Sequence, residues 1–237
     1  MAAIIVNLEC VTNLHVGNGD VNFNIIDNEV ERDVVTGYPT INASGVKGAL
    51  REYFVKKGMA PEKIDAIFGK DSAGRLKFLS ADMLAVPLRA SAGTEVFYMV
   101  STKEALEKYK ETNALFLNKS VELGSASVSG RQAEGFNLSE AVTLLGKEIH
   151  LLGQADFRKV ALPVVARNKL ENGKSVNLWY EEVVPHKSLF SFAVLAESKD
   201  ADLLNEFCNE VDGQVIQFGG NASIGYGLCK ATVTKED

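Results

Sequence analysis

The side chains best suited to acid–base or metal chemistry lie in an acidic segment near the start of the chain. The acids of residues 20–33 are Asp20, Asp27, Glu29, Glu31 and Asp33. His15 lies just upstream. Such carboxylates can hold Mg²⁺ together with water, or one of them can act as a general base. Most surface acids face solvent, however, and a histidine at a strand end is more often structural than catalytic, so both interpretations stay open.

A second candidate is the start of a predicted helix, where cations could bind phosphate. The apolar stripe of this helix is Val46, Ala49, Leu50, Tyr53 and Phe54. Ser44 fits the N-cap position, and Lys47 and Arg51 lie one turn apart on the opposite face. Residues 44–57 hold four Lys or Arg against one Glu. Free amides and the helix dipole favour an anion at such a start, although a solvated helix face has the same pattern.

The segment GGNASIGYG could bring bare backbone close to a phosphate or a base. It contributes Gly219, Gly220, Asn221, Gly225 and Gly227. It is neither a P-loop nor a dinucleotide fingerprint, because no Gly-Lys-Ser/Thr follows and the next predicted element is a strand. A tight turn with glycines at positive φ explains the same residues without any ligand.

Residues 167–182 are predicted to form a hairpin, because Asn172-Gly173 is a strong turn signal. The cations around this turn are Arg167, Lys169 and Lys174. Trp179 and Tyr180 follow at the base. Cations beside aromatic rings on a projecting ribbon suit contact with single-stranded nucleic acid, and they equally suit a protein interface. Two glutamates after the aromatic pair reduce the positive charge.

Composition excludes several classes of protein. The 237 residues, 46% hydrophobic and 24% charged, predict a folded chain of one domain or two. Three cysteines without a CxxC pair indicate reduced thiols. The first residues lack a signal peptide and no apolar run is long enough to span a membrane, so we expect a cytoplasmic protein. Because the net charge is −6, any nucleic-acid site must be a local basic patch.

Apolar periodicity outlines the elements that must position these residues. Predicted strands, besides the hairpin, cover residues 3–11, 75–90, 94–102, 148–157, 187–196, 214–218 and 226–234. Predicted helices cover residues 44–57, 62–68, 101–109 and 200–211, the third opened by a Ser101–Glu104 capping box. Residues 112–147 resist assignment, apart from a helical turn or two at 138–145. The order predicts an α+β fold with a largely antiparallel sheet, as two ferredoxin-like halves or one elaborated copy.

The chain resembles the RAMP superfamily of CRISPR-associated proteins, most closely the backbone subunits of type III-B (Cmr) effector complexes. The matching segments are LHVGNG, VERDVVTGYPTINASGVKGALREYF, GRLKFLSADMLAVPLRA, LWYEEVVPHKSLF and IQFGGNASIGYGLCK. They follow the family's order across nearly the whole chain. The resemblance implies one RAMP domain over residues 1–237, with an RRM-like (ferredoxin-like) core, an inserted 12–43 loop and a thumb hairpin at 167–178.

The resemblance also implies a function. Such subunits bind a guide crRNA in a head-to-tail filament with other copies and other type III subunits, and they cleave target RNA at regular intervals. The residues implied to bind RNA are Ser44, Lys47, Arg51, Arg167, Lys169, Lys174, Gly219, Gly220, Asn221, Gly225 and Gly227. Asp27 is the implied catalytic residue and a possible ligand of a weakly bound Mg²⁺ or Mn²⁺, with assistance from His15.

Three alternatives stay open beside this one. The segment after Asp27 lacks the proline that is frequent in the family, so the chain could be a backbone subunit that binds RNA without cleaving it. A type III-A (Csm-like) backbone subunit is the second alternative. A small-molecule enzyme that uses the glycine-rich loop is the third. No GxSxG, HExxH or Cys–His pattern supports a common hydrolase, and His150 and His186 are predicted to be structural.

Overall fold

The computed structural model describes residues 1–19 and 26–236. The strands are β1 Ala2–Cys10, β2 Thr40–Ile41, β3 Leu76–Phe78, β4 Ala81–Ala92, β5 Phe97–Ser101, β6 Ser125–Ala133, β7 Phe136–Leu144, β8 Lys147–Leu151, β9 Val164–Glu171, β10 Lys174–Glu182, β11 Leu189–Ala196, β12 Val215–Gln217 and β13 Leu228–Lys235. The helices are α1 Ala43–Lys56, α2 Pro61–Phe68, α3 Lys103–Leu117, α4 Gln154–Phe157 and α5 Ala201–Val211. None of the described helices combines the length and apolar character that crossing a bilayer requires.

The core is an antiparallel sheet in the order β13-β1-β11-β4, which is the strand order of a ferredoxin-like fold. Helices α1 and α5 pack on one face, where Ile4, Val6 and Leu8 of β1 join their apolar residues in one cluster. Helix α3 covers the other face, where Ile5 is buried. The Ile/Val run of β1 is therefore buried on both sides. The predicted α+β fold with a ferredoxin-like antiparallel sheet is confirmed.

The region that resisted assignment forms the second half of the sheet. Strands β4, β5, β8, β7 and β6 pair in that order, and β6 returns to pair with β4, so these strands close on themselves. The helical turn expected at 138–145 is wrong, because β7 occupies that position. The buried residues of β7 lie on both of its faces, because Leu138 joins the core cluster of α1 and α5 whereas Val142 and Leu144 join that of α3. A strand buried on both faces has no simple alternation of apolar and polar residues, so the sequence did not show it.

Several predicted boundaries move. Helix α1 begins at Ala43 with Asn42 at its N-cap, so Ser44 lies inside the first turn instead of capping it. Helix α3 is capped by Thr102, whose hydroxyl accepts from the Ala105 amide at 3.2 Å, so the capping box at residue 101 is also wrong.

Two elements differ in extent from the prediction. Helix α3 continues to Leu117 because its buried stripe continues past Tyr109. The strand expected at 148–157 ends at Leu151 and gives way to the short helix α4.

The β9–β10 hairpin forms a separate two-stranded sheet, as predicted. Asn172 and Gly173 both have positive φ, 51° and 77°, which is the requirement of a tight type I′ turn. Most hairpin residues are exposed, and only Glu181 and Glu182 at its end are buried. The hairpin is therefore anchored at its base and projects from the rest of the molecule.

Side-chain truncation to alanine on the buried and on the exposed face of α1 should have different effects on stability. Leu50 is 0% and Val55 48% exposed. We expect Leu50→Ala to lower the free energy of unfolding by about 2–5 kcal/mol through lost packing, and Val55→Ala to change it by less than about 0.5 kcal/mol. Urea unfolding followed by circular dichroism measures both values. Equal losses would contradict the assigned orientation of the helix.

Candidate functional site

Four segments that are remote in sequence meet at the base of the hairpin. Residues 13–18, 26–32, 179–184 and 219–227 are together called the junction below. Bridges between strand-like residues join Leu14 to Val184 and Gly17 to Val30. A third bridge joins Asn28 to Glu181. The junction thus contains Asp27 and His15, together with the base of the hairpin and the glycine-rich loop.

Asp27 is exposed and is held by the hairpin backbone. Its carboxylate Oδ2 accepts from the Tyr180 amide at 2.8 Å, and its own amide donates to the Tyr180 carbonyl at 3.1 Å. This acid is therefore fixed beside Tyr180 near the end of β10, and its side chain remains exposed to solvent. Asp20, the first acid of the same segment, lies outside the described residues.

Asp33, the last acid of the same segment, has structural surroundings. Asp33 Oδ1 accepts from the Thr36 amide and hydroxyl, both at 2.8 Å, and closes a turn. The backbone hydrogen bond from Thr36 holds the pKa of Asp33 below its usual value. Within the described part of the chain, no three His, Cys, Asp or Glu side chains lie close enough to hold a metal ion.

His15 is buried between the hairpin base and the glycine-rich loop. Its Nδ1 lies 2.7 Å from the Glu182 carbonyl oxygen, and because a carbonyl only accepts, Nδ1 is the donor of this hydrogen bond. Its own carbonyl accepts from the Gly220 amide at 2.9 Å. His15 therefore joins two parts of the junction, which agrees with the structural interpretation and leaves one ring nitrogen available.

The glycine-rich loop uses many of its own amides. The amides that already donate to backbone carbonyls are those of Gly220, Ile224, Gly225, Tyr226 and Gly227. Gly219, at φ +72°, could not carry a side chain, since a Cβ there would lie 2.3 Å from the His15 carbonyl oxygen. The glycines thus serve close backbone packing first, and these five amides can reach a phosphate only by leaving their partners.

Two buried glutamates at the end of β10 hold the junction together. Glu182 accepts from Arg32 at 2.5 Å and from the Val30 amide at 3.1 Å. Glu181 accepts from Arg167 and from the Asn221 side chain, each at 3.0 Å. Their exposed fractions are only 6% and 5%. From the sequence, these acids are expected only to reduce the positive charge of the hairpin. In the structure they are buried and pair with cations.

The hairpin cations divide into three kinds. Arg167 is committed to Glu181 and faces the rings of Trp179 and Tyr226, with centroid distances of 5.7 and 5.9 Å. Lys169 pairs with Glu171 at 2.8 Å on the exposed surface. Among the described residues, Lys174 at the tip has no ion-pair partner.

The cations of α1 are mostly paired as well. Arg51 lies 3.5 Å from Asp65. Lys56 lies 3.3 Å from Glu52, and Lys57 lies 2.5 Å from Glu210. Within residues 1–19 and 26–236, Lys47 has no carboxylate in ion-pair range. Most of the positive charge of this helix is therefore balanced by carboxylates in the fold. The unbalanced charge is that of Lys47, which is half-buried and lies one turn beyond the exposed Ser44.

Comparison with known proteins decides the family. The model of the RAMP superfamily matches residues 7–230. The chain belongs to the RAMP superfamily. It is 26% identical to the CRISPR system Cmr endoribonuclease Cmr4 of Pyrococcus furiosus, over 98% of this chain and 96% of that protein. It is 35% identical to the CRISPR system CMR subunit Cmr4 of Saccharolobus solfataricus, over 44% of this chain and 36% of that protein. The predicted resemblance to Cmr-type RAMP proteins is confirmed.

Solved RAMP structures share the fold over the full length. A chain of the type III-B Cmr-beta complex bound to cognate target RNA aligns with a TM-score of 0.79 and 24% identity, covering 98% of this chain and 97% of that one. Oligomeric Cmr4 from Pyrococcus furiosus aligns with a TM-score of 0.73 and 23% identity, covering 99% of each chain. At these identities the likeness shows the fold of this RAMP chain.

The predictions from the sequence named Asp27, His15 and the glycine-rich loop, which the fold brings together, but missed the groups that join them. Arg32 and Glu182 are 150 positions apart, and Asn221 lies 40 positions from Glu181. Their one sequence signal is the pair of acids that follows Trp-Tyr in a strand, since adjacent strand residues face opposite sides and buried acids need partners. Side-chain contacts from Ser44, Lys47 or Arg51 to the junction are absent in the described chain.

Alanine substitutions at two glycines of the glycine-rich loop should distinguish the cost of a steric contact from the cost of a left-handed backbone conformation. Gly219 and Gly225 both have positive φ, +72° and +82°, but only at Gly219 would a Cβ meet other atoms. We expect Gly225→Ala to cost about 1–2 kcal/mol from the left-handed conformation alone, and Gly219→Ala to cost more because the His15 segment must move. Urea unfolding measures both; equal losses would refute the close packing.

Proposed function

We propose that this chain is the crRNA-binding backbone subunit of a type III-B CRISPR effector complex, and that each copy cleaves target RNA paired with the guide. In this proposal copies associate head to tail along the guide and contact other type III subunits. The observation that carries it is the hydrogen bond between Asp27 and the Tyr180 amide. It places a solvent-facing acid at the base of a projecting hairpin in a RAMP domain that is similar over its full length to a protein named Cmr endoribonuclease.

The hairpin has the dimensions to interrupt a duplex. It is a two-stranded ribbon whose longer strand, Lys174–Glu182, extends about 30 Å. A ribbon that enters between nucleotides displaces one of them and leaves the adjacent phosphodiester unstacked. Because the ribbon is anchored at the junction, that phosphodiester would lie near Asp27. Regular spacing of copies along the guide would then produce cleavage at regular intervals.

The chemistry needs few protein groups. RNA carries its own nucleophile, the 2′-OH, and a displaced nucleotide can reach the in-line geometry that its attack on the next phosphate requires. Asp27 acts as general base and takes the 2′-OH proton while the 2′-oxygen bonds to phosphorus. The P–O5′ bond breaks, so that a 2′,3′-cyclic phosphate forms and the departing 5′-oxygen takes a proton from water. His15 would assist through Nε2, the ring nitrogen that does not contact the Glu182 carbonyl. This mechanism uses no covalent protein intermediate.

A divalent ion fits this site only as part of the complex with RNA. Asp27 supplies one carboxylate, and Mg²⁺ is commonly held by one or two carboxylates together with substrate phosphates and water. When bound, such an ion would neutralise charge on the scissile phosphate. The tasks of the chain itself are to hold Asp27 beside the hairpin and to keep the target in register.

The assembled complex with guide and labelled target tests the catalytic half of the proposal. Asp27→Asn keeps an oxygen for the Tyr180 amide but removes the charge, so we expect cleavage to slow by about 100-fold or more while target binding stays unchanged. Glu29→Gln, an acid of the same segment, is the matched control. A 2′-deoxy nucleotide in the target should block cleavage at its own position alone.

Excess EDTA in the same assay tests for the ion, and added Mn²⁺ or Mg²⁺ should restore the rate. Cleavage that persists in EDTA would assign the chemistry to Asp27 without a metal. Unchanged cleavage in Asp27→Asn would overturn the catalytic half and leave a backbone subunit that binds RNA without cutting it.

The guide-binding half predicts unequal roles for two cations. Lys47 lacks a carboxylate partner in the described chain, whereas Arg51 has Asp65 at 3.5 Å. We expect Lys47→Gln to weaken guide binding and to reduce the slope of log affinity against log salt by about 0.7, as for one lost phosphate contact. Arg51→Gln should have a smaller effect. Lys199→Gln, at a lysine paired with Glu197, controls for bulk charge, and equal effects in all three would contradict the assignment.

A further inference from the structure

The carboxylate of Glu181 receives donors from three separate segments. Arg167 and the Asn221 side chain donate to Oε2, each at 3.0 Å. The Trp179 indole donates to Oε1 at 3.2 Å, and the Asn28 side chain lies 3.5 Å from the same oxygen. An ionised carboxylate has about four acceptor positions and no donor. The four donors therefore match the full capacity of this group.

The burial of Glu181 makes these contacts interdependent. A carboxylate that is 5% exposed must keep its partners, because an uncompensated buried charge is strongly unfavourable. Arg167 supplies the opposite charge, and its guanidinium is itself fixed against two aromatic rings. A change at one donor therefore reorients the carboxylate and is felt by the other donors.

One side of Glu181 leads to the acid proposed to cleave RNA. Asn28 follows Asp27 directly, its amide donates to the Tyr180 carbonyl at 3.2 Å, and its carbonyl accepts from the Glu182 amide at 2.9 Å. Its side chain is the group that reaches Glu181. The position of Asp27 therefore depends on how firmly Asn28 is held at the end of β10, as well as on its own two hydrogen bonds to Tyr180.

The other side of Glu181 leads to the glycine-rich loop. Asn221 has a left-handed conformation, φ 60°, and its side chain points back to Glu181. The residues that follow it, Ala222 to Ile224, are exposed. A guide strand lying on this loop would thus press on a segment whose one end is tied to Glu181.

We propose that Glu181 is a positioning residue that couples guide RNA on the glycine-rich loop to the placement of Asp27, through the chain Asn221–Glu181–Asn28. This inference rests on the proposed function and deepens it by naming a regulation of the same site. Guide binding orders Asn221, which fixes the Glu181 carboxylate and, through it, Asn28 and Asp27. A copy without guide holds its catalytic acid less firmly, so cleavage is restricted to loaded filaments.

Two substitutions interrupt the series of contacts Asn221–Glu181–Asn28 at different points. Asn221→Gly keeps the left-handed backbone and deletes the amide. Glu181→Gln keeps the shape but turns an NH₂ group toward donors. Asp200→Asn is the matched control. Asp200, at the start of α5, is an acid that is 8% exposed and lies 3.7 Å from Arg75. It has no contact with the junction in the described residues.

Hydrogen exchange of the residue 27–32 amides, with and without guide, and the cleavage rate are measured in assembled complexes, at guide and target concentrations that saturate each variant. In the wild type we expect guide to slow exchange of these amides. Asn221→Gly and Glu181→Gln should lose that protection and cleave about tenfold more slowly, and the double variant should be no slower than Glu181→Gln alone. Asp27→Asn should keep the protection although its cleavage is slowed by about 100-fold or more, and Asp200→Asn should behave as wild type.

The outcomes separate this inference from the proposed function. Guide-dependent protection that survives both substitutions would overturn the coupling and leave the proposed function intact. A wild-type complex that binds no guide would overturn both. If Glu181→Gln fails to fold, Asn221→Gly still decides, because Asn221 lies on a surface loop and its glycine variant preserves the backbone conformation.

Discussion

The two buried carboxylates at the end of β10 are the interaction on which the junction depends. Adjacent residues of a strand face opposite sides, so Glu181 turns toward the glycine-rich loop and Glu182 toward residues 30–32. Neither acid could be buried without a cation, and Arg167 and Arg32 supply the charges. One strand end thereby fixes segments from the beginning, middle and end of the chain.

In the described residues, the buried charged groups of the junction are used to join segments. Asp27 differs from them because it is exposed and its carboxylate accepts only from the hairpin backbone there. Such a site suits a substrate that brings its own nucleophile and is positioned by base pairing with a guide. In the proposed function the hairpin separates the paired strands, copies along the guide set the spacing, and Asp27 is the base.

The same pairing of charges limits how this acidic chain can hold RNA. Arg51, Lys56 and Lys57 each have a carboxylate partner, so the net positive charge of α1 is less than its composition suggests. Lys47, near the start of this helix, has no carboxylate in ion-pair range among the described residues and is therefore the cation of α1 best able to bind an anion. Contacts with a guide would be few per copy, and retention would depend on many copies acting along one strand.

Local patterns in the sequence determined the elements and the family. The apolar stripe of α1, the Asn172-Gly173 turn and the ordered motif blocks predicted the ferredoxin-like core, the hairpin and the RAMP resemblance, because each depends on residues close together in the chain. Only the tertiary structure decided that β6, β7 and β8 complete the sheet, that most cations are neutralised, and that Glu181 and Glu182 are internal. Those features depend on pairs such as Arg32 and Glu182, 150 positions apart, and no local spacing encodes which distant charge a buried acid will meet.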